Sequence, residues 1–381
     1  MARVVVLGCG LMGRVIAEDL ARDGAHDVVV VDRDQGAGQA LAEVAGLRFE
    51  RLDVSDIGRP GGLVSGADLV VGALPGLLGF SVLRRLVEAG CRRVVDISFM
   101  PEDPRLLAAS LPPESSYLVD AGVAPGLSHM LASMLLSRLD EPERLRILVG
   151  GLPMERRLPY EYVTVFSPRD VLEEYTRPAR IRWAGRVETR PALSEVELVD
   201  VPGVGTLEAF LTDGLRSLLS TESVPFMEEK TLRYPGHAAL MRALVQTGFL
   251  SDEPTELPGG LVVRPVDLSD RLLQRAWRPL PGDLDMTVLL VEVHGRKAGV
   301  PVRLRASLVD RAQPGGPTSM ARCTGYTAAS VARLVLRGGW DGRGIVFPEE
   351  LGKSASAMEM LLADLESRGM KVLFEAHESA D

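Results

Sequence analysis

Cysteine is scarce in this 381-residue chain: Cys9, Cys91 and Cys323 are an odd, scattered set without CxxC spacing. That excludes a disulfide-stapled scaffold and a thiolate metal cage, and it fits a reducing compartment. No hydrophobic run approaches the length of a membrane span. The N-terminus passes from Ala2-Arg3 straight into Val4-Val5-Val6-Leu7 without a signal-peptide pattern. A cytoplasmic protein with no membrane partner is therefore expected. Positive charge is also in deficit. With 43 Lys+Arg against 52 Asp+Glu the formal charge is -9, which opposes a polyanion and argues against nucleic acid as a partner. HExxH, a paired Cys/His ligand set and a nucleophile elbow are missing, so metal and acyl-transfer chemistry have no support and no metal is expected.

What is present is ordinary globular composition, 46% hydrophobic and 25% charged, at a length that suggests about two domains. The first third alternates short apolar runs with amphipathic stretches, the pattern of a parallel sheet with crossover helices. Strands are predicted at Arg3 to Leu7, Asp27 to Val31, Leu47 to Leu52, Leu69 to Gly72, Arg93 to Asp96 and Tyr117 to Val119. Helices are predicted at Met12 to Arg22, Ala37 to Ala45 and Phe80 to Ala89, with Gly24, Gly46 and Gly90 as stops. An amphipathic helix follows at Leu127 to Leu139. Then come strand-like runs at Glu161 to Phe166, Ala179 to Trp183, Leu207 to Phe210, and a long pair, Met286 to Val293 and Val300 to Leu308, joined around Gly295. Helices break in at Pro168 to Tyr175, capped by Ser167, and at Gly236 to Gln246. From Thr327 the pattern turns helical through Leu336, continues at Ala355 to Glu366, and ends in a short strand, Lys371 to Phe374. There is no internal repeat; Gly58 to Gly62, Gly282 and Gln313 to Pro317 read as loops.

One motif concentrates the information. Gly8-Cys9-Gly10-Leu11-Met12-Gly13 directly follows a strand and opens a helix, the context that makes GxGxxG a dinucleotide-binding signal. Gly8 permits the tight turn, Gly10 lets the backbone approach a pyrophosphate, and Gly13 allows close packing of helix on strand. Diphosphate charge then meets the free N–H groups of the helix start. Asp32, at the end of the second strand, is placed to accept hydrogen bonds from the adenosine ribose, which puts NAD ahead of NADP. Arg33 is the complication, since it can stack on adenine or pair with a 2'-phosphate. Ligands of open α/β sheets sit beyond the carboxyl ends of the strands. Asp53-Val54, Ala73-Leu74-Pro75 and Asp96-Ile97-Ser98 are thus further cofactor contacts, with helix capping the alternative for Asp53 and Asp96.

Longer stretches carry a family resemblance: the glycine fingerprint, Asp120-Ala121-Gly122-Val123-Ala124-Pro125-Gly126-Leu127, Gly150-Gly151-Leu152-Pro153, and the run from Phe166 to Tyr175. Leu207 to Leu215 and Thr231-Leu232-Arg233-Tyr234-Pro235-Gly236-His237 add to it. Over nearly its whole length the chain resembles the saccharopine dehydrogenase family. The resemblance implies a Rossmann domain, an inserted substrate domain, and nicotinamide-dependent chemistry at a carbon-nitrogen bond of an amino acid or polyamine. For the branch that deaminates the lysine side chain it implies 2-aminoadipate 6-semialdehyde, which cyclises, with ammonia and NADH as co-products. Ser98-Phe99 departs from the saccharopine-forming members, where Ser-Tyr is expected.

An amino-acid substrate brings a carboxylate. Arg233, beside a positive helix end and within the shared Arg-Tyr-x-Gly core, is the candidate anchor. His237, four residues on, is a candidate proton acceptor. Asp120 and Gly122 fall at a strand end facing the crevice and are candidates to receive the amine, although Asp120 can instead satisfy the backbone of the following turn. Thr324 and Tyr326 are candidate contacts of substrate or nicotinamide. Tyr160, Tyr162 and Tyr175 are candidate substrate contacts or core, and His129 is read as packed. The expected fold is α/β: a doubly wound parallel Rossmann sheet, residues 1-124 and 325-381, with an inserted α+β substrate domain, residues 125-324, and the cleft between them as the reaction site. The expected activity is NAD-dependent deamination of lysine. The alternatives are a saccharopine- or carboxynorspermidine-type C–N enzyme and a nucleotide-sensing binding protein. The expected assembly is a dimer or larger homo-oligomer.

Overall fold

Parallel strands covered on both faces have no polar side to show, so they read as unbroken apolar runs. Val4 to Leu7 and Val28 to Val31 do so, and all are fully buried. The computed structural model describes residues 1–22, 24–39, 41, 46–56, 62–164 and 168–378. The chain folds as two units, Met1–Ser137 with Ala321–Val372 and Arg138–Met320 with Leu373–Asp381.

In the first unit, β1 (Ala2–Leu7), β2 (His26–Asp32), β3 (Leu47–Arg51), β4 (Leu69–Gly72), β5 (Arg93–Asp96) and β6 (Ser116–Leu118) alternate with α1 (Leu11–Ala21), α2 (Gln35–Gln39) and α3 (Gly76–Glu88). With Gly344–Val346 they form a seven-stranded sheet that runs 344–346, β6, β5, β4, β1, β2, β3. Every pairing is parallel. The order reverses between β1 and β4, where a doubly wound sheet opens its crevice. The expected fold class is the one observed. The predicted end of the second helix at 40 and 42–45, and the loop residues 58–61, lie outside the described residues.

Three expectations about this unit change. Helix α4 (Leu127–Leu136) belongs here, and all ten of its residues are buried, so it is a core helix rather than an amphipathic one. His129 on it faces Glu349 at 3.1 Å, with neither side chain exposed. The division therefore falls after Ser137, not after residue 124. The long helix Ser319–Leu336 starts earlier than Thr327, and its Gly325 presses on α1: a Cβ there would lie 2.8 Å from Val15 Cγ1. An ion network holds the same two helices. Asp19 of α1 is fully buried and accepts from Arg333 Nη2 (2.7 Å) and Arg368 Nε (2.8 Å), and both arginines also reach Asp364.

The second unit is built on one mixed sheet. Its strands are β7 (Glu141–Pro153), β8 (Ala179–Trp183), β9 (Arg186–Arg190), β10 (Glu197–Val201), β11 (Gly205–Leu211) and β12 (Phe226–Arg233). A small hairpin, β13 (Thr255–Glu256) and β14 (Val262–Val263), precedes the long pair β15 (Asp285–Lys297) and β16 (Val300–Arg311). The order is β10, β11, β12, β7, β15, β16 and then the terminal strand Leu373–Glu378, with β7 parallel to β12. The terminal strand was expected with the first unit; instead it pairs antiparallel with β16 from Ser307 to Val302, covering an edge that would otherwise be bare. The β15–β16 turn is not at Gly295 but at Ala298-Gly299, both at positive φ (51 and 80) as a two-residue hairpin requires. Gly295 marks a bulge, where a Cβ would sit 2.2 Å from the Glu141 carbonyl. Residues 161–164 form no strand, and 165–167, including the expected Ser167 cap, lie outside the described residues. Among the described residues no helix is long and apolar enough to cross a membrane.

Replacing Asp19 by Ala strands two buried guanidinium groups. The expected loss is about 3–5 kcal/mol of unfolding free energy in urea denaturation, because breaking one partner of a buried pair leaves charge uncompensated. A loss below about 1 kcal/mol, the range of exposed pairs, would show the network to be energetically idle.

Candidate functional site

The glycine turn is built by contacts that admit no side chain. Gly8 stands at φ +102, and a Cβ on it would lie 2.4 Å from the Ala73 carbonyl oxygen and 3.3 Å from Leu74 Cδ2. A Cβ on Gly13 would lie 2.0 Å from the Gly8 carbonyl oxygen. Gly10 has open space in front of it, and no side chain caps α1, whose first residues are Leu11 and Met12. The partial positive charge of that helix start is left for an anion, so the turn fits a dinucleotide diphosphate.

Asp32 and Arg33 divide their work differently from the expectation. Asp32 Oδ2 accepts from the Cys9 N–H (2.7 Å) and Oδ1 from the Asp34 N–H (2.9 Å), so its carboxylate braces the turn. Arg33 is exposed, and its carbonyl accepts from Arg51 Nε at 3.2 Å. Asp53 is exposed; hydrogen bonds from Ser55, then the Arg33 charge, hold its carboxyl below the ordinary value. Val54 is partly buried, and Pro75 is exposed at the start of α3.

Deeper in the same unit, Asp96 receives the Ser98 N–H (2.8 Å) and hydroxyl (3.2 Å). Burial pushes the Asp96 carboxyl up to about 7, against the pull of the Ser98 bonds and with the Asp120 charge adding to the rise. Ser98 is buried against Gly79, with its hydroxyl on Asp96. Asp120 is buried at φ 54. Gly122 and Thr324 are neighbours: a Cβ on Gly122 would lie 3.3 Å from Thr324 Cγ2. Tyr326 is buried with the Arg322 guanidinium 5.5 Å over its ring.

The second unit gathers the other candidates. Arg233 ends β12 with only 3% of its surface exposed. Its Nη2 donates to Glu174 Oε2 at 2.8 Å and its Nη1 to the Leu232 carbonyl at 2.9 Å, while its carbon sits 4.7 Å over the Tyr162 ring. The helix His237–Gln246 begins just after it, but the positive end expected beside Arg233 is already taken. Glu208 accepts from the Gly236 N–H (3.0 Å) and the Ala238 N–H (2.7 Å). Nor is His237 placed to receive a substrate proton. Its Nδ1 lies 3.0 Å from the Tyr160 carbonyl, which can only accept, so that nitrogen carries the hydrogen and Nε2 accepts from the Tyr175 hydroxyl at 2.9 Å. Burial, then the Arg233 charge, lowers the imidazole from 6.5 to about 3. Burial raises the Tyr175 hydroxyl to about 12. Tyr160 contributes its carbonyl, and its ring stacks edge-on against Trp277. Asp120 and His237, both candidates for proton transfer, sit in different units.

Glu174, Glu208 and Trp277 were not foreseen. Glu174 meets Arg233 across 59 residues and Glu208 meets Ala238 across 30, separations that one sequence does not reveal. The neutral state of His237 has a measurable consequence. Unfolded, the imidazole takes a proton near 6.5, whereas folded it stays neutral to about 3. Stability from this residue is complete above 6.5 and falls as pH drops from there towards 3. At pH 5 the parent protein should take up about one proton more on unfolding than His237→Gln, read from the pH dependence of denaturation; equal uptake would refute the neutral imidazole.

Two family models cover the chain: the saccharopine dehydrogenase NADP binding domain matches residues 4–122 and the saccharopine dehydrogenase C-terminal domain residues 122–370. The saccharopine dehydrogenase (NADP+, L-glutamate-forming) of Saccharomyces cerevisiae is 25% identical over 279 residues, 67% of this chain and 60% of that protein. Its counterpart in Schizosaccharomyces pombe is 23% identical over 281 residues, again 67% and 60%. The chain thus spans about 60% of the length of these relatives. An apo structure of the S. cerevisiae enzyme matches the fold at TM-score 0.83 and 20% identity, covering 99% of this chain and 100% of that one. The NADP-binding model and the NADP+ in both relatives' names overturn the expectation of NAD ahead of NADP. In the turn, each Asp32 oxygen already accepts a backbone N–H, and Arg33, the next residue, is an exposed cation. With its nucleotide turn in the first unit, its buried arginine in the second, and both models matched nearly end to end, the chain belongs to the saccharopine dehydrogenase family.

Proposed function

We propose that the chain is an NADP(H)-dependent oxidoreductase acting at a carbon-nitrogen bond of an amino acid. The observation that carries this reading is the turn from Gly8 to Gly13, closed by contacts at 2.4 and 2.0 Å and followed by an uncapped helix. The backbone of Gly10, Leu11 and Met12 holds the diphosphate, and Arg33 pairs with the 2'-phosphate. Bound NADP+ supplies an acceptor for the hydride on the amine-bearing carbon. The protein's own work is to hold that carbon and its amine. Arg233 takes the substrate carboxylate; Tyr175 and neutral His237 fix the wall beside it. Asp120 is the candidate acceptor of the amine proton in the first unit, beside Thr324 and Gly122.

For lysine the balance is the side-chain ammonium, NADP+ and water giving 2-aminoadipate 6-semialdehyde, ammonium, NADPH and a proton. Phe99, where saccharopine-forming members are expected to carry Tyr, supports lysine deamination as the first reading. Oxidative splitting of saccharopine is the second, favoured by the names of both yeast relatives.

The test is growth of reduced-nicotinamide absorbance with NADP+ and either L-lysine or saccharopine; ammonia release identifies the first, glutamate or lysine release the second. Turnover of neither would end this proposal. Arg233→Ala should raise KM by about 100-fold, the scale of removing one charged partner from a buried pair, with a smaller effect on kcat. Arg33→Ala should weaken NADPH by about tenfold while leaving NADH binding nearly unchanged, read by fluorescence titration. An equal loss for both nucleotides would remove Arg33 from the phosphate site.

A further inference from the structure

Strands in register set their side chains in rows, and one row of the second sheet is charged throughout. Arg146 of β7 stands opposite Glu292 of β15, and Glu292 stands opposite Arg305 of β16. Two residues along on the same face, Leu148 stands opposite Leu290, and both are buried. From the edge of the sheet β10 bends back over these rows. Its Val199 packs against the cluster that holds Leu148 and Leu290, and its Glu197 pairs with Arg146 although β11 and β12 lie between their strands. The bend encloses a cavity of about 230 Å³, which Arg303 also lines. Lys230 reaches Glu197 on this face, so alternation along β12 turns Arg233 to the opposite one.

Ion pairing is uneven across the cavity. On the β10 side it is closed: Arg146 and Lys230 share Glu197 and Glu228, two cations to two anions. On the β16 side Glu292 faces Arg303, Arg305 and His294. Burial pushes the Glu292 carboxyl up, but hydrogen bonds from His294 and Arg303 bring it down to about 2, so it stays an anion. Arg305 is the guanidinium left over. Its Nε lies 3.5 Å from Glu292 and its Nη1 3.9 Å from Glu375, which is 44% exposed and screened by water. The buried Nε atoms of Arg303 and Arg305 have no hydrogen-bond partner among the described residues. Two guanidinium groups two residues apart on one strand, about 7 Å between their Cα atoms, thus hold spare donors beside an apolar floor. Buried donors left unmade are costly, and an anion that bonds both groups also balances the surplus positive charge on this side. Phosphate would set a hydrated ion against Leu148 and Leu290, whereas a carboxylate on a short branched chain suits donors and floor alike. We infer that this cavity is a binding site for a small aliphatic carboxylate, its charge on Arg303 and Arg305 and its chain on Leu148 and Leu290. The site goes beyond the proposed reaction and does not depend on it.

The experiment titrates the full chain with 3-methylbutanoate, its amide, 3-methylbutylamine, acetate and inorganic phosphate, each followed by NMR. 3-Methylbutanoate should bind with a dissociation constant below about 10 mM, as its size allows. The amide, which lacks the charge, and the amine, which reverses it, should bind at least about tenfold more weakly. Acetate, short of three carbons for the apolar floor, should be weaker by about tenfold or more, and phosphate likewise. Arg305→Gln should weaken 3-methylbutanoate by about tenfold or more, and Arg303→Gln should do the same from a second position, so that one misfolded variant does not decide the matter. Arg233→Ala should leave this binding unchanged, which separates the cavity from the site proposed for the reaction. Four results would overturn the assignment. They are no binding below about 10 mM, as expected were a second copy of the chain to cover this face, the amide or phosphate binding as tightly as 3-methylbutanoate, full binding kept in either Gln variant, or binding lost in Arg233→Ala.

Discussion

A guanidinium taken out of water has to be answered, and in the second unit the answer organises everything around it. Arg233 at the end of β12 meets Glu174 from the helix Pro168–Thr176, the Tyr162 ring, and the carbonyl of its own neighbour. Beside this charge His237 is neutral, through burial first and the Arg233 charge second, and its tautomer follows from the Tyr160 carbonyl on one side and the Tyr175 hydroxyl on the other. Glu208 accepts two of the first backbone donors of the adjoining helix, so that helix start is already occupied by an anion. Burial first and this charge second keep His237 neutral, while Tyr160 and Tyr175 hold its ring.

The first unit follows another logic, that of exclusion. At Gly8, Gly13 and Gly72 the missing Cβ is what allows a carbonyl, a turn and the Asp96 carboxylate to occupy their places. Asp32 lies where the pattern puts it, and its oxygens also brace the turn from within.

How much of this could be read beforehand follows from the range of each interaction. The sheet of the first unit was legible because Val4 to Leu7, Val28 to Val31 and Leu69 to Val71 are apolar runs whose burial is a local property. The glycine fingerprint was legible for the same reason, its contacts lying within a few residues or at the next strand end. Strand β12 was missed because Glu228, Glu229 and Lys230 look like a solvated run, while Lys230 pairs with Glu197 across the sheet. The terminal strand was assigned to the wrong unit because edge pairing has no signature in one sequence. The role of Glu174 was invisible for the same reason, as was the capping of the helix start by Glu208.

The path of the chain has a consequence of its own. It leaves the nucleotide-binding unit after Ser137, returns at Ala321, and departs again after Val372 to lay its final strand on β16. Neither half is a continuous piece of polypeptide, so no single cut of the gene yields one of them whole, and during synthesis the sheet of the second unit stays open at one edge until Leu373–Glu378 has been made.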